Sequence, residues 1–181
     1  MASINATTSS GIVATADNTG QLQLQSAGTT VMTITSTGVT TQVGAPAFNA
    51  YASSTTSIPN TTWTKISINT VTFDTNSNFN TSTYRFTPTV AGYYQINGMA
   101  QLASTSQAYA IAIWKNGGAV SQASGIGASG LNGSANTSVV IYLNGSTDYV
   151  ELYMYQTSGG SINANGGSNV TALSGFLARS A

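Results

Sequence analysis

The segment Phe86-Thr-Pro-Thr-Val-Ala-Gly-Tyr-Tyr-Gln-Ile96 decides how this chain folds. After Gly92, apolar and polar residues alternate from Tyr93 to Leu102, and this period of two is typical of a strand with one buried face. Glycine adopts backbone conformations that other residues avoid, so Gly92 allows the chain to turn before the strand begins. The segment therefore predicts a turn followed by a long, half-buried β-strand.

A similar alternation extends along most of the chain, and no stretch shows helical periodicity. β-Branched and aromatic residues alternate with polar ones, while glycine, asparagine and serine interrupt the runs every few residues. Ten short strands of this kind are typical of an all-β sandwich or jelly roll. The tracts 121–137 and 158–169 are rich in small residues and predict extended loops or plain edge strands. The predicted strands lie near residues 48–52, 62–66, 70–73, 84–87, 93–102, 109–115, 119–124, 138–143, 149–156 and 171–178.

The chain carries few charges. Only four Lys or Arg residues and four Asp or Glu residues occur among 181, and they cancel. Ordinary soluble domains contain about a quarter charged residues. A surface with so little charge does little to keep copies apart, so we expect the chain to assemble with itself or with a partner. Four scattered cations cannot neutralise a phosphate backbone, which excludes a nucleic-acid partner.

The sequence contains neither cysteine nor histidine. This removes disulfides, thiolate zinc sites and cysteine nucleophiles, together with the commonest general base and transition-metal ligand. A serine nucleophile would then need a Lys or carboxylate partner, and no such motif occurs. We therefore expect no enzymatic activity, no catalytic residues and no cofactor.

Two groups of oxygen-bearing side chains are the candidate metal ligands. Asp74 is followed by asparagine at every second position up to Asn80, a spacing that resembles a calcium loop without its downstream acidic ligand. Asp148 and Glu151 are three residues apart on a predicted strand, so their side chains point to opposite faces. We expect a hydrated loop at Asp74, a turn residue at Asp148 and no metal site.

Alternation along residues 149–156 divides the side chains between two faces. Val150, Leu152 and Met154 share one face, which is the better candidate for the core. The other face carries Glu151 and three tyrosines. This row of tyrosines is a candidate interface, either with another subunit or with a ligand.

The first 46 residues form a distinct tract that we interpret as an arm. Residues 21–25 and 31–36 alternate with period two, and residues 26–29 between them predict a hairpin turn. Two short strands bury too little apolar surface to be stable alone, so the arm needs another copy or a partner to pack on. The apolar side chains available for attachment are Leu22, Leu24, Val31, Met32 and Ile34.

The Ala-Pro step at Ala45 and Pro46 is the strongest linker signal in the chain. It predicts an attachment and oligomerisation arm over residues 1–46 and a knob over residues 47–181. The first eleven residues have no basic region and no apolar run, and nowhere do eighteen apolar residues follow one another. We therefore expect synthesis in a cytoplasm and no membrane partner.

Four motifs in the second part resemble the C1q-like family of jelly rolls. The opening segment matches the family signature of Phe, five residues, Gly, one residue, Tyr, one residue and an aromatic, except that Ile96 replaces the final aromatic. Trp114-Lys-Asn-Gly117 matches a strand and turn, residues 138–152 match the paired late strands, and residues 174–177 match the closing strand. The motif residues are Phe86, Gly92, Tyr94, Ile96, Trp114, Asn116, Gly117, Leu143, Val150, Leu152, Gly175 and Phe176.

This resemblance implies both a fold and an assembly. Proteins of the C1q and tumour-necrosis-factor (TNF) type are three-fold trimers of tapered jelly rolls, packed around an axis lined with apolar and aromatic side chains. The chain is then expected to be a homotrimer, with about ten strands in each knob. The motif residues are expected to be structural, with Phe176 in the packed core.

The arm resembles a different group of proteins. Residues 15–24 and 28–39 are similar to a repeat-like segment of tailed-bacteriophage virion proteins. This implies a virion surface as the location, with the major capsid protein or another virion protein as partner. One expected function is a capsid decoration, or cement, protein held to the shell by its arm. The alternative is the receptor-binding tip of a tail or head fibre, whose loops at 125–136 and 159–169 contact a host surface glycan.

Overall fold

The computed structural model describes residues 19–42, 44–103, 106–128 and 130–181. The chain divides into two units, Met1–Gly44 and Ala45–Ala181. Residues 1–18, which include Asp17 and the start of the segment 15–24, lie outside the described residues. Every regular element in the described ranges is a β-strand, as the sequence predicts. No helix in these ranges is long and apolar enough to cross a membrane.

The first unit contains an antiparallel three-stranded sheet. Its strands are β1 (Leu22–Ser26), β2 (Thr29–Ile34) and β3 (Thr40–Gln42), in that order. The predicted hairpin turn is present: φ is 49° at Ala27 and 79° at Gly28, and positive angles at both central residues suit the twist of the flanking strands. The sequence does not predict β3, because its three polar residues show no apolar alternation.

One face of this small sheet, the apolar arm face, is formed by Leu22, Leu24, Met32 and Ile34. Leu22 pairs with Ile34, and Leu24 with Met32, so all four side chains point to the same side. Leu22 and Leu24 are 41% and 43% exposed, and Met32 and Ile34 are partly buried. Val31 is exposed as well. Among residues 19–42 the sheet therefore has no core of its own, as expected for two or three short strands.

The second unit is a sandwich of two antiparallel sheets. In the first sheet the strand order is β5-β15-β10-β16-β4-β7, and β13 pairs with the other edge of β10. In the second it is β12-β11-β14-β9-β8, and β6 pairs with β14. The strands are β4 (Ala47–Tyr51), β5 (Thr56–Ile58), β6 (Thr64–Lys65), β7 (Thr70–Asp74), β8 (Phe79–Asn80), β9 (Arg85–Phe86), β10 (Gly92–Leu102), β11 (Ala108–Lys115), β12 (Gly118–Ile126), β13 (Gly133–Leu143), β14 (Val150–Gln156), β15 (Ile162–Ala164) and β16 (Ala172–Ser180).

All ten predicted strands are present, and three short ones are added. β5, β8 and β15 contain only two or three residues each, too few for alternation to be recognised. β13 begins at Gly133, so residues 133–137 extend a strand that the sequence predicts from residue 138. Its pairing with β10 is continuous from Gly92 opposite Leu143 to Leu102 opposite Gly133.

The core lies between the two sheets. On β14, Val150, Leu152 and Met154 are all fully buried, which confirms the predicted core face. Tyr94 is also fully buried, and its hydroxyl donates a hydrogen bond to the carbonyl of Val90 at 2.7 Å. Burial raises the pKa of Tyr94 to about 12, because the phenolate would lose its hydration.

Most of the family motif residues are buried, but Phe176 is not. It is 49% exposed, so its expected placement in the core is wrong for the single chain. Gly175 takes the inward position instead, because an added Cβ there would lie 2.6 Å from a methyl carbon of Ile96. Alternation then turns Phe176 outward. The buried motif residues are Phe86, Gly92, Tyr94, Ile96, Leu143, Val150, Leu152 and Gly175.

Candidate functional site

The outer face of the second sheet carries an aromatic layer, formed by Trp63, Trp114, Tyr153 and Tyr155. Trp114 stacks on Tyr153 with ring centroids 4.1 Å apart, and Trp63 lies 6.2 Å from Trp114 and 5.4 Å from Tyr155. Ala112, which pairs with Tyr153, is fully buried on the same face. All four aromatic residues remain partly exposed. Aromatic rings that are partly exposed in this way favour contact with a partner or ligand.

Glu151 lies beside this layer between two cations. Its carboxylate is 1% exposed, and Oε1 accepts hydrogen bonds from Lys65 Nζ at 3.1 Å and Arg85 Nε at 2.7 Å. The Tyr153 hydroxyl is 3.5 Å from Oε2. A buried carboxylate is costly unless it is paired, and the two cations offset that cost. Burial, followed by the charge of Glu151, raises the pKa of Tyr153.

Arg85 has a second contact that fixes its orientation. Its guanidinium carbon lies 4.0 Å above the ring of Tyr149, a cation–π distance. The hydrogen bond to Glu151 is the main cause that raises the pKa of Arg85, so the group stays charged. Arg85 and Tyr149 both line an open cavity of about 660 Å³ next to β8 and β9.

The two loops considered as metal sites have structural roles. The carboxylate of Asp74 accepts hydrogen bonds from the backbone N–H of Asn76 and of Phe79, which closes its own loop. Within the described ranges, no three acidic side chains lie close enough together to hold a metal ion. The absence of a metal site stays a prediction.

Asp148 organises the turn between β13 and β14. Its carboxylate accepts hydrogen bonds from Asn116 Nδ2 at 2.7 Å and from the backbone N–H of Asn144 at 3.0 Å. Lys115 Nζ lies 2.8 Å from the same carboxylate. Asn116 Oδ1 in turn accepts from the N–H of Tyr149. The Lys-Asn-Gly motif in the turn after β11 is therefore hydrogen-bonded to the residues that precede β14.

Acid should weaken this turn. The Lys115 hydrogen bond, with smaller contributions from Asn116 and Asn144, holds the pKa of Asp148 below its ordinary value of 3.8. A carboxyl group whose pKa is lower in the folded state stabilises the fold at pH values above its ordinary pKa. This contribution is lost as the pH falls through the pKa of the folded state. We expect Asp148→Asn to be less stable than wild type at neutral pH and the gap to narrow below pH 3.8 in thermal melts. A gap that stayed constant with pH would contradict this role.

The outer face of the first sheet is apolar at one end. Tyr93 and Tyr142 pair across β10 and β13 with ring centroids 5.6 Å apart and are 47% and 41% exposed. In the next row Val140 and Phe176 flank Gln95 and are also exposed. Further along, the same face forms a cavity of about 490 Å³, lined in part by Asn49, Asn97, Met99, Asn136 and Ala172. Exposed apolar surface of this kind marks interaction sites.

The structure separates the residues that the sequence groups together. Glu151 and two of the predicted tyrosines face outward from β14, whereas Tyr149 precedes the strand and contacts Arg85. Asn116 and Gly117 are exposed in the turn after β11. The sequence alone does not single out Trp63, Lys65 or Arg85, although alternation around the buried Phe86 places Arg85 on the outer face. The role of the tyrosine row as an interface stays a prediction.

The paired sheets, with β7-β4-β16-β10-β13 on one side and β12-β11-β14-β9-β8 on the other, define a jelly-roll protein. The family model of the C1q domain matches residues 47–178, so the chain belongs to the C1q domain family. No curated protein matches the sequence.

Three solved structures are similar to the chain. The globular domain of zebrafish complement 1qA protein has a TM-score of 0.57 and 15% identity, over 76% of this chain and 99% of that one. The Eiger TNF from S. frugiperda has a TM-score of 0.57 and 10% identity, over 76% and 93%. Murine APRIL at pH 5.0 has a TM-score of 0.59 and 11% identity, over 74% and 98%. At these identities the likeness concerns the fold alone.

Proposed function

We propose that this chain is a non-enzymatic structural protein of a virion, a homotrimeric capsid decoration or cement protein. Residues 1–46 act as the arm that holds it to the shell, and residues 47–181 form the outward knob. The observation that carries the proposal is the apolar arm face, because a three-stranded sheet with four apolar side chains and no core needs a partner surface.

The trimer is supported by the fold and by the exposed face of the first sheet. C1q and TNF-like proteins form homotrimers, and this chain has their jelly roll. Val140, Tyr142 and Phe176 expose apolar surface on the outer face of the first sheet. Burial between copies would remove this surface from water, and three-fold closure leaves no unsatisfied contact.

Attachment is tested on particles that lack the protein. We expect the full chain to bind and a chain starting at Ala47 to fold but not to bind, because it lacks the apolar arm face. Leu24→Asp should also abolish binding, since it places a charge on that face. Gln23→Asp adds the same charge to the opposite face and should bind as wild type does. Occupancy is measured by gel densitometry of purified particles.

Salt provides a further check on the same assay. Asp17 is the one charged residue in the arm sequence, so counterions have little to screen and occupancy should not depend on ionic strength. Binding by the chain starting at Ala47, or loss of binding in high salt, would show that the arm is not the anchor.

The alternative function is the receptor-binding tip of a tail or head fibre. The partly exposed aromatic layer on the second sheet favours it, because such rings suit a ligand. The loops expected to contact a glycan are partly strands, since β12, β13 and β15 extend into residues 125–136 and 159–169. Copy number distinguishes the functions: decoration requires many copies spread over the shell, and a fibre tip requires few.

A further inference from the structure

The cavity next to β8 and β9, here called the Arg85 cavity, is not part of the surfaces proposed above for attachment and assembly. Asn80, Thr83, Arg85, Thr87 and Tyr149 are among the residues that line its volume of about 660 Å³. It belongs to the second sheet, whereas Val140, Tyr142 and Phe176, the apolar residues of the proposed trimer contact, lie on the outer face of the first. Its walls are mostly hydroxyl and amide groups around one permanent positive charge.

Arg85 is held so that one edge of its guanidinium remains available. Nε donates to the buried carboxylate of Glu151 at 2.7 Å, and the Tyr149 ring lies 4.0 Å from the guanidinium carbon. These two contacts fix the plane of the group. Among the described residues, no side chain or carbonyl accepts a hydrogen bond from its two terminal amino groups, Nη1 and Nη2. Two parallel N–H donors in one plane match the two oxygens of a carboxylate.

The Glu151 carboxylate, which contacts Arg85, is not available to pair with these two donors. Glu151 is 1% exposed and already accepts from Lys65 as well as Arg85. Since Lys65 also neutralises Glu151, the cluster has a net positive charge. The cavity therefore attracts an anion from outside.

The remaining walls suit hydroxyl groups. Asn80 Oδ1 accepts from the backbone N–H of Ser82 and Thr83 at 2.9 and 3.0 Å, which orients the amide and leaves Nδ2 as a donor. Thr83 and Thr87 add hydroxyls that can donate or accept. The hydroxyls of a sugar ring both donate and accept hydrogen bonds, so they can pair with the amide donor and with the threonine hydroxyls.

We propose that the Arg85 cavity binds an acidic sugar, a hexuronic acid unit whose carboxylate pairs with Nη1 and Nη2 of Arg85. Asn80 and the threonines bind the ring hydroxyls. This site goes beyond the proposed function, because it names a ligand for the exposed side of the knob. It does not depend on the arm or on the particle.

The test uses the full-length protein and titration calorimetry with a short oligomer of galacturonic acid. The matched ligand is the methyl-esterified oligomer, which keeps the sugar ring and loses the charge. We expect the acid to bind and esterification to weaken binding about tenfold or more. Arg85→Lys keeps a cation beside Glu151 but loses the two parallel donors, so it should weaken binding of the acid to a similar extent.

Arg179→Lys is the control variant, because Arg179 is exposed on β16 in the other sheet and should not affect binding. Thermal melts of both variants test whether the fold is retained. Equal binding by wild type and Arg85→Lys, or equal binding of the esterified oligomer, would overturn the proposal. Tighter binding of a sulfated oligosaccharide, or of a peptide through its free C-terminal carboxylate, would overturn the assignment of a uronic acid.

Discussion

Replacing Phe86 with alanine should lower the free energy of unfolding by about 3–5 kcal/mol, the usual cost of truncating a buried aromatic side chain. Phe86 is fully buried, and its ring stacks on Phe48 with centroids 4.0 Å apart and meets the edge of Tyr94 at 5.8 Å. Phe48 in turn packs on Phe79. The substitution leaves a cavity in this aromatic cluster, which chemical denaturation at fixed protein concentration would measure.

Phe176→Ala is the matched control, because it is the same change at a residue that is 49% exposed. Within one chain it should change stability by about 0.5 kcal/mol or less. In the proposed trimer it should weaken association, so that its effect grows as the protein is diluted. If Phe176→Ala cost as much as Phe86→Ala at every concentration, the outward orientation of Phe176 would be wrong.

Gly145→Ala should destabilise the fold by about 2–5 kcal/mol, the combined cost of a left-handed backbone and of overpacking. Gly145 has φ of +71°, a conformation that alanine adopts only with strain. An added Cβ would also lie 2.7 Å from the carbonyl carbon of Val90, where only backbone movement could relieve the clash. A decrease in melting temperature is the expected readout.

Gly117→Ala separates the two causes. Gly117 has φ of +85°, but an added Cβ would meet nothing within 4 Å. It should therefore cost only the conformational part, about 1–2 kcal/mol. Equal losses for the two variants would show that the turn at Gly145 moves away from Val90 without cost.

Much of the fold could be predicted because alternation is a local property. The long strands β10 and β14 were recognisable from their own residues, and Val150, Leu152 and Met154 were assigned to the correct face. β5, β8 and β15 were not predicted, because their two or three residues lie outside any predicted alternating segment, whereas the equally short β6 and β9 lie inside residues 62–66 and 84–87. Phe176 shows a different limit. Gly175 could be expected to allow a close approach of the backbone, but the sequence does not show whether Gly175 or Phe176 faces the core.

The candidate site was less predictable, because it depends on pairing between distant strands. Glu151 meets Lys65 and Arg85 across sequence separations of 86 and 66 residues. Nothing local to Arg85 shows that Tyr149 will lie over its guanidinium. The sequence did identify the outward tyrosines of β14, since that inference needed only the alternation within one strand.

The pairing of charged side chains affects how the folded chain moves in an electric field. Lys65, Arg85 and Glu151 share one cluster, and Lys115 is paired with Asp148, so five of the eight charged residues are in mutual contact. With no histidine, the sequence also contains no side chain whose ordinary pKa lies between about pH 5 and 8. Its electrophoretic mobility should therefore stay close to zero throughout this interval. If the protein coats a particle as proposed, neighbouring particles would be kept apart by hydration and steric exclusion rather than by electrostatic repulsion.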